Sequence, residues 1–349
     1  MRVCFVNQDM SLGGSATVVH DIIYNWPEKN DELFLVVFYD LFSERYKDLF
    51  DKKNLKIYIL NRKSTFDIFF LSRLKKTLKL IKPDIINSHL TTTFYLKIVG
   101  ATKNNRIYHT IHSEPCFDLP KIYRLFLKKD IKLGKIRLIG CCDYISKKAS
   151  DLYNTNCSTI TNGITNSNEF VECDGFVKFL FVGRLCDVKN IKEIIQSFNN
   201  IKKENFVFNI CGFGSKKYQD KILDLINKSK NSSRMHFLGR TENVNEVYKK
   251  SDVLILASKR EGLPITILEG LSFGLAFIAT DVGGVSEYVK NGMNGILIEP
   301  DRLEKLPLAI DTMLKNIDQI KYFQLNSQKI VNKWNAYAMA KKYKETLKQ

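Results

Sequence analysis

The segment running from Ser258 through Glu261, Gly262, Leu263, Pro264 and Ile265 to Glu269 sets two carboxylates eight positions apart behind the apolar run Val253–Leu256. Proline suits the first turn of a helix, where its missing N–H would have had no partner. The spacing therefore predicts a helix opening at Pro264. Its free backbone N–H groups, over residues 262–266, and the positive end of its dipole would form an anion site. Glu261, in the loop before the helix, and Glu269, inside it, would then hold hydroxyls at opposite ends of a ligand whose phosphates lie between. On spacing alone, a capped helix with two solvated glutamates fits equally well.

A second apolar run ends in Gly183-Arg184-Leu185-Cys186-Asp187-Val188-Lys189-Asn190. Arg184 offers forked hydrogen bonds and Lys189 a point charge, the cations that a diphosphate calls for; a glycine turn between surface cations is the plainer alternative. Gly13-Gly14, after the first apolar run, and Gly212, in Cys211-Gly212-Phe213-Gly214, would let backbone approach a ligand closely or simply make tight turns. Neither forms a GxGxxG fingerprint, and no Walker A sequence occurs. Of five histidines, His112 in His109-Thr110-Ile111-His112 is the best placed to meet a ligand, and His89 ends another apolar run. Strand alternation would send His109 and His112 to opposite sides, which argues against a shared metal. No Asp-x-Asp pair is present to hold a divalent ion, so no metal site is assigned.

The elements that must position these residues follow a repeating strand–turn–helix rhythm. Short apolar runs at 3–6, 33–38, 56–60, 84–88, 106–110, 137–140 and 158–161 read as buried strands. A second series follows at 178–182, 206–211, 234–238, 253–256, 276–279 and 295–298. Helical periodicity lies between them, at 66–81, 190–198, 218–228, 243–249, 264–273 and 303–314, and residues 319–349 read as a final helix. This alternation predicts parallel sheets covered on both faces, with ligands beyond the carboxyl ends of the strands. A polar stretch at 166–174 divides two such α/β domains, 1–168 and 169–349, whose strand–helix loops would face each other across a cleft. The last helix would fold back on the first domain.

Composition narrows the partners. The chain has 349 residues, 44% hydrophobic and 26% charged, enough apolar mass for two cores. No apolar stretch reaches the ~18–20 residues that span a bilayer. The first residues lead into a strand without a signal-peptide cleavage site, which predicts a cytoplasmic protein. The eight cysteines show no CxxC pair and read as reduced core residues. Net charge is +17, shared between the two halves but locally clustered. Residues 121–148 carry nine basic side chains against Asp130 and Asp143, and Arg73, Lys75, Lys76, Lys79 and Lys82 form a second cluster. Such patches suit anionic lipid, nucleic acid or phosphorylated ligands, or merely solvate the surface.

Taken in order, these motifs resemble the retaining glycosyltransferases of family 4. The likeness is strongest over residues 177–300, through Gly183-Arg184-Leu185 with Lys189, Glu261 with Glu269, and Ala279-Thr280-Asp281-Val282-Gly283-Gly284. It continues more loosely through Gly13-Gly14, the run from Pro83 to His89, Thr110-Ile111-His112 and Thr161-Asn162-Gly163-Ile164. The resemblance implies a GT-B fold, two Rossmann-like domains across a cleft, and a nucleotide-sugar donor with a lean to UDP. It makes Glu269 the ribose anchor, Glu261 the sugar contact, Arg184 and Lys189 the diphosphate grip, Gly14 a close backbone approach, and His112 the histidine near the transferred sugar. It also implies metal-independent transfer to a glycan or polyprenyl-diphosphate-linked acceptor in cell-surface polysaccharide synthesis, with no nucleic acid involved. The basic, amphipathic stretch 121–137 would then meet an anionic membrane from the cytoplasmic side. Three positions depart from the family pattern: Asn190 and Ala16 replace a usual Gly and Glu, and Phe213 stands where a carboxylate is common. Two rivals remain, a nucleotide-sugar 2-epimerase of the same fold and a non-catalytic basic scaffold.

Overall fold

A computed structural model describes residues 1–27, 30–64, 67–167 and 169–349. By contact the chain divides into two units, residues 1–163 with 336–349, and residues 164–335. The division falls earlier than the 168/169 boundary expected from composition, and the C-terminal segment counts with the first unit; Asn168 itself lies outside the described residues.

The first unit begins β1 (Arg2–Asn7), α1 (Gly14–Tyr24), β2 (Glu32–Val37), β3 (Leu55–Ile59), α2 (Phe69–Ile81), β4 (Ile85–His89) and α3 (Thr92–Ile98). It continues through β5 (Arg106–Ile111), α4 (Pro115–Asp118), α5 (Lys121–Lys132), β6 (Ile136–Gly140), α6 (Asp143–Tyr153) and β7 (Cys157–Thr159). The strands form one sheet in the order β3-β2-β1-β4-β5-β6-β7, every pair parallel. Val3, Cys4, Phe5 and Val6 are fully buried, because helices cover both faces of a parallel sheet; such strands read as unbroken apolar runs rather than as alternation. The helix expected at 66–81 starts at Phe69, where Asp67 accepts the Phe70 N–H at 3.1 Å; Phe66 lies outside the described residues.

The second unit contains β8 (Val177–Arg184), α7 (Ile191–Ser197), β9 (Phe206–Phe213), α8 (Lys216–Asn227), β10 (Met235–Gly239), α9 (Val244–Lys249) and β11 (Val253–Leu256). It closes with α10 (Ile265–Ser272), β12 (Ala276–Thr280), α11 (Val285–Tyr288), β13 (Gly295–Ile298), α12 (Leu306–Lys315) and α13 (Ile317–Val331). Its parallel sheet runs β10-β9-β8-β11-β12-β13 over a core that includes Phe179, Phe181, Phe198, Phe206 and Phe208. Each such ring, taken fully out of water, contributes on the order of 2 kcal/mol before entropy is counted.

One expected element is corrected. The final helix is not continuous: α13 ends at Val331, and α14 (Ala336–Lys348) follows after a break. Neither glycine nor proline marks the interruption. Tertiary contacts make it: Ile164 donates to the Trp334 carbonyl at 2.9 Å, and the Trp334 ring stands edge-on to Tyr288 at 4.4 Å. Beyond the break α14 packs on α1, and Lys344 reaches the buried Asp31 at 3.2 Å.

Candidate active site

In an open α/β sheet the natural ligand crevice lies beyond the carboxyl ends of the strands, where strand order reverses. In the second unit the reversal is between β8 and β11. The chain leaving β8 carries Arg184 and Lys189, and the chain leaving β11 carries Glu261. Backbone and side-chain bonds tie these loops together. Lys259 N–H donates to the Val188 carbonyl at 2.8 Å, and Asn190 Nδ2 donates to the Ala257 carbonyl at 2.8 Å. The result is a direct ion pair, Lys189 Nζ to Glu261 Oε1 at 2.5 Å, with both side chains mostly buried. Arg184 is exposed and makes no ion pair among the described residues.

The departure at Asn190 has a physical reason. Its backbone is left-handed, φ 50° and ψ 34°, a region open to glycine and, among other residues, most readily to asparagine. Asn190 thus keeps the turn a glycine would make and adds a side-chain tie.

Two glycines are fixed by close approach. A Cβ on Gly212 would lie 1.9 Å from the Gly183 carbonyl oxygen, so β8 and β9 can converge at their carboxyl ends only without a side chain there. Gly283, at φ +60°, would press a Cβ to 2.2 Å from the Glu261 carbonyl oxygen, and the next residue, Gly284, donates to the Gly262 carbonyl at 2.8 Å. The Gly283-Gly284 turn therefore braces the glutamate loop. Pro264 occupies the N-cap of α10, one position earlier than the sequence pattern placed it; Gly262, Leu263, Pro264 and Ile265 are buried at the entrance of that helix. Glu269, inside α10 and only 6% exposed, accepts from the Tyr248 hydroxyl at 2.8 Å. Phe213 is 40% exposed, with the Arg240 guanidinium 5.3 Å over its ring.

The remaining candidates lie in the first unit, whose strand order reverses between β1 and β4. Gly13 caps α1 in an extended conformation and Gly14 opens it; a Cβ on Gly13 would meet nothing within 4 Å, so local packing does not demand glycine there. Ala16, the other departure, is buried in the first turns of α1.

His112 follows β5 and belongs to a hydrogen-bonded cluster. Asn87 Nδ2 donates to Thr110 Oγ1 at 3.0 Å, which turns Asn87 Oδ1 toward His89 Nε2 at 2.8 Å. His89 therefore carries its proton on Nε2, and its Nδ1 accepts from His112 Nε2 at 2.8 Å. Burial pushes the His112 imidazole down to about 4, the Asp118 charge opposing; burial likewise takes His89 well below the usual histidine range, with the charges of His112 and His109 adding. Both rings are accordingly neutral near pH 7.

His109 is wired separately. Thr93 Oγ1 donates to His109 Nδ1 at 2.7 Å and lies 2.6 Å from Ser88 Oγ, which also faces the Tyr108 carbonyl at 3.1 Å. His109 Nε2 meets Asp118 Oδ2 at 2.9 Å, while Asp118 Oδ1 accepts the His112 backbone N–H at 3.1 Å. Strand alternation does not relate His109 to His112, because β5 ends at Ile111; Asp118 joins them instead. Sequence reasoning missed Asp118 and Tyr248, since a hydrogen-bond partner supplied by another element leaves no spacing pattern.

Residues 165–330 match the family model described as glycosyl transferases group 1, and residues 12–165 match glycosyltransferase family 4. A Campylobacter jejuni enzyme is 29% identical over 266 residues, covering 72% of this chain and 70% of its own length. It is the GalNAc-alpha-(1->4)-GalNAc-alpha-(1->3)-diNAcBac-PP-undecaprenol alpha-1,4-N-acetyl-D-galactosaminyltransferase. Anabaena HepE, solved with UDP and glucose, superposes with a TM-score of 0.85 at 15% identity over 100% of both chains. A TarM variant from S. aureus gives 0.82 at 14% identity, again over 100% of both. At these identities the structural likeness is one of fold.

The two doubly wound sheets are of the GT-B type, and the family matches make the chain a glycosyltransferase, a transferase of the EC 2.4 class. The chain belongs to glycosyltransferase family 4.

Proposed function

We propose that this protein is a retaining glycosyltransferase that moves a sugar from a UDP-linked donor to a glycan or polyprenyl-diphosphate-linked acceptor in cell-surface polysaccharide synthesis. The observation that carries the reading is the Lys189–Glu261 pair at the β8/β11 reversal, where a cation and a carboxylate from distant loops meet and the exposed Arg184 ends β8. The named acceptor of the Campylobacter relative, a diphosphate-undecaprenol glycan, and the UDP in HepE support the substrate classes.

In this mechanism, breaking the bond from anomeric carbon to phosphate puts negative charge on the diphosphate and positive charge on the sugar. Arg184, Lys189 and the N-terminal end of α10 stabilise the leaving group, and fixed charges of this kind need no reorganisation as the bond breaks. Glu261 holds the sugar and Glu269 the ribose; in the first unit the family resemblance assigns Gly13 and Gly14 to close backbone approach and the neutral His112 to hydrogen bonding. The departing phosphate takes the acceptor hydroxyl's proton on the same face, which retains configuration. Side chains and a helix end balance the developing charge in each step.

Among the described residues no helix is long and apolar enough to cross a membrane. Peripheral contact from the cytoplasmic side is supported by α5, where Ile122, Leu125 and Phe126 are 67%, 60% and 43% exposed among Lys121, Lys128, Lys129 and Lys132. The acid in this helix, Asp130, is buried and paired with Lys97 at 3.2 Å, so it offsets little of the outward charge. Leu127 and Ile131 anchor the opposite face.

A panel of sugar nucleotides, each assayed with and without a polyprenyl-diphosphate glycan, tests the reading. A glycosylated acceptor with the anomeric configuration of the donor supports it. Free epimerised sugar nucleotide formed without acceptor would replace it with an epimerase, and polyanion binding indifferent to Glu261→Gln would replace it with a scaffold. Sedimentation with anionic and neutral vesicles tests the membrane face: Lys128→Glu with Lys129→Glu should abolish binding to the anionic vesicles, and unchanged binding removes that part.

A further inference from the structure

The two glutamates of the candidate site are held by different chemistry. Glu261 is paired with a cation, whereas Glu269 is held by a phenol. Tyr248 lies in α9, fully buried, and its hydroxyl donates to Glu269 Oε2 at 2.8 Å. The Tyr248 ring is itself fixed, stacked on Phe273 with centroids 5.8 Å apart and planes 8° from parallel. The carboxylate also lies beside the carboxyl end of β9, where its charge adds to the burial that pushes the Cys211 thiol up to about 11. A glutamate has three side-chain torsions and keeps one geometry only when packing and hydrogen bonds fix it. A carboxylate offers roughly four acceptor positions, so the bond from Tyr248 orients the group without exhausting it.

We propose that Tyr248 is a positioning residue for nucleotide recognition: through Oε2 it sets the plane of the Glu269 carboxylate so that ribose hydroxyls are recognised in a fixed orientation. The inference rests on the reading of Glu269 as the ribose anchor. Tyr248 does not touch the nucleotide. It keeps Glu269 from sampling other rotamers, so removing the hydroxyl should weaken discrimination between nucleotides with and without ribose hydroxyls. Contacts to the base and the diphosphate should be unaffected.

The test is calorimetric binding of UDP and of 2′,3′-dideoxyuridine diphosphate to the full chain and to Tyr248→Phe, Phe273→Leu and Glu269→Gln. The wild type should prefer UDP by about tenfold or more, roughly what one well-made hydrogen bond to a charged group is worth. Tyr248→Phe should lose most of that preference while binding the dideoxy nucleotide as the wild type does, which also demonstrates a folded site. Phe273→Leu, which loosens the ring without removing the hydroxyl, should lose part of it. If Glu269→Gln abolishes the preference and Tyr248→Phe keeps it in full, Tyr248 only fills space and the proposal is overturned. Equal weakening of both nucleotides by Tyr248→Phe overturns it as well. Should Glu269→Gln leave the preference intact, the ribose reading fails and takes the proposal with it.

Discussion

The two units solve the same problem, polar groups at the carboxyl ends of parallel strands, in opposite ways. In the first, His89, His112, Asn87, His109 and Asp118 form one hydrogen-bonded cluster with Thr93 and Thr110, and His89 and His112 are kept neutral by burial. In the second, charge is kept: Lys189 and Glu261 form a mostly buried pair and Arg184 stays exposed without an ion-pair partner among the described residues. A buried hydrogen-bonded network is rigid and sensitive to protons, while a partly open pair of opposite charges is ready for an anion. The difference teaches which unit supplies shape and which supplies electrostatic pull.

The sharpest way to break that contrast is to remove charge from the second unit. Arg184→Ala or Lys189→Ala should lower kcat about a hundredfold, near 3 kcal/mol of barrier, as expected for losing one fixed donor to developing negative charge. Steady-state kinetics with saturating donor checks this. Activity within a factor of two of wild type would place the diphosphate elsewhere.

The first unit should respond to acid instead. In the folded protein His112 sits at about 4, below the ordinary 6.5, so between those pH values the unfolded chain binds more protons and stability falls as pH falls. The contribution is complete above pH ~6.5 and gone below about 4, amounting to roughly 3 kcal/mol. Denaturant unfolding at pH 7 and pH 4.5 should record the loss, and His112→Asn, which keeps a donor for His89, should flatten the dependence. An identical slope in the variant would mean that His112 does not carry it.

A smaller effect is expected at Asn190. Replacement by alanine puts a Cβ-bearing residue without a compensating bond into a left-handed conformation and removes the tie to Ala257, costing about 2 kcal/mol. Asn190→Gly loses the tie but not the conformation and should cost less. Equal losses in the two unfolding midpoints would show that backbone geometry is not what asparagine supplies.

Much of this architecture is legible in the sequence because fully buried parallel strands announce themselves as apolar runs. Each run that reads as a strand became one, with ends displaced by at most two residues. The placement of Arg184, Lys189 and Glu261 where strands give way to helices was legible too, since they stand beside the glycines and proline that mark such turns, and so was that of Glu269 within the following helix. The break after Val331 was hidden because no helix breaker occurs there and the interruption comes from Trp334 packing on Tyr288. The roles of Tyr248 and Asp118 were hidden for a related reason. Each acts through a hydrogen bond to a group on another element, and neither has a periodicity to betray it.

Whether cations of the second unit grip a diphosphate is decided by calorimetric titration. UDP and uridine would each be titrated into the wild type and into the Arg184→Ala, Lys189→Ala double variant. UDP binding should weaken by about a hundredfold or more in the variant while uridine binding is unchanged. Unchanged UDP affinity, or an equal loss for both ligands, would contradict it.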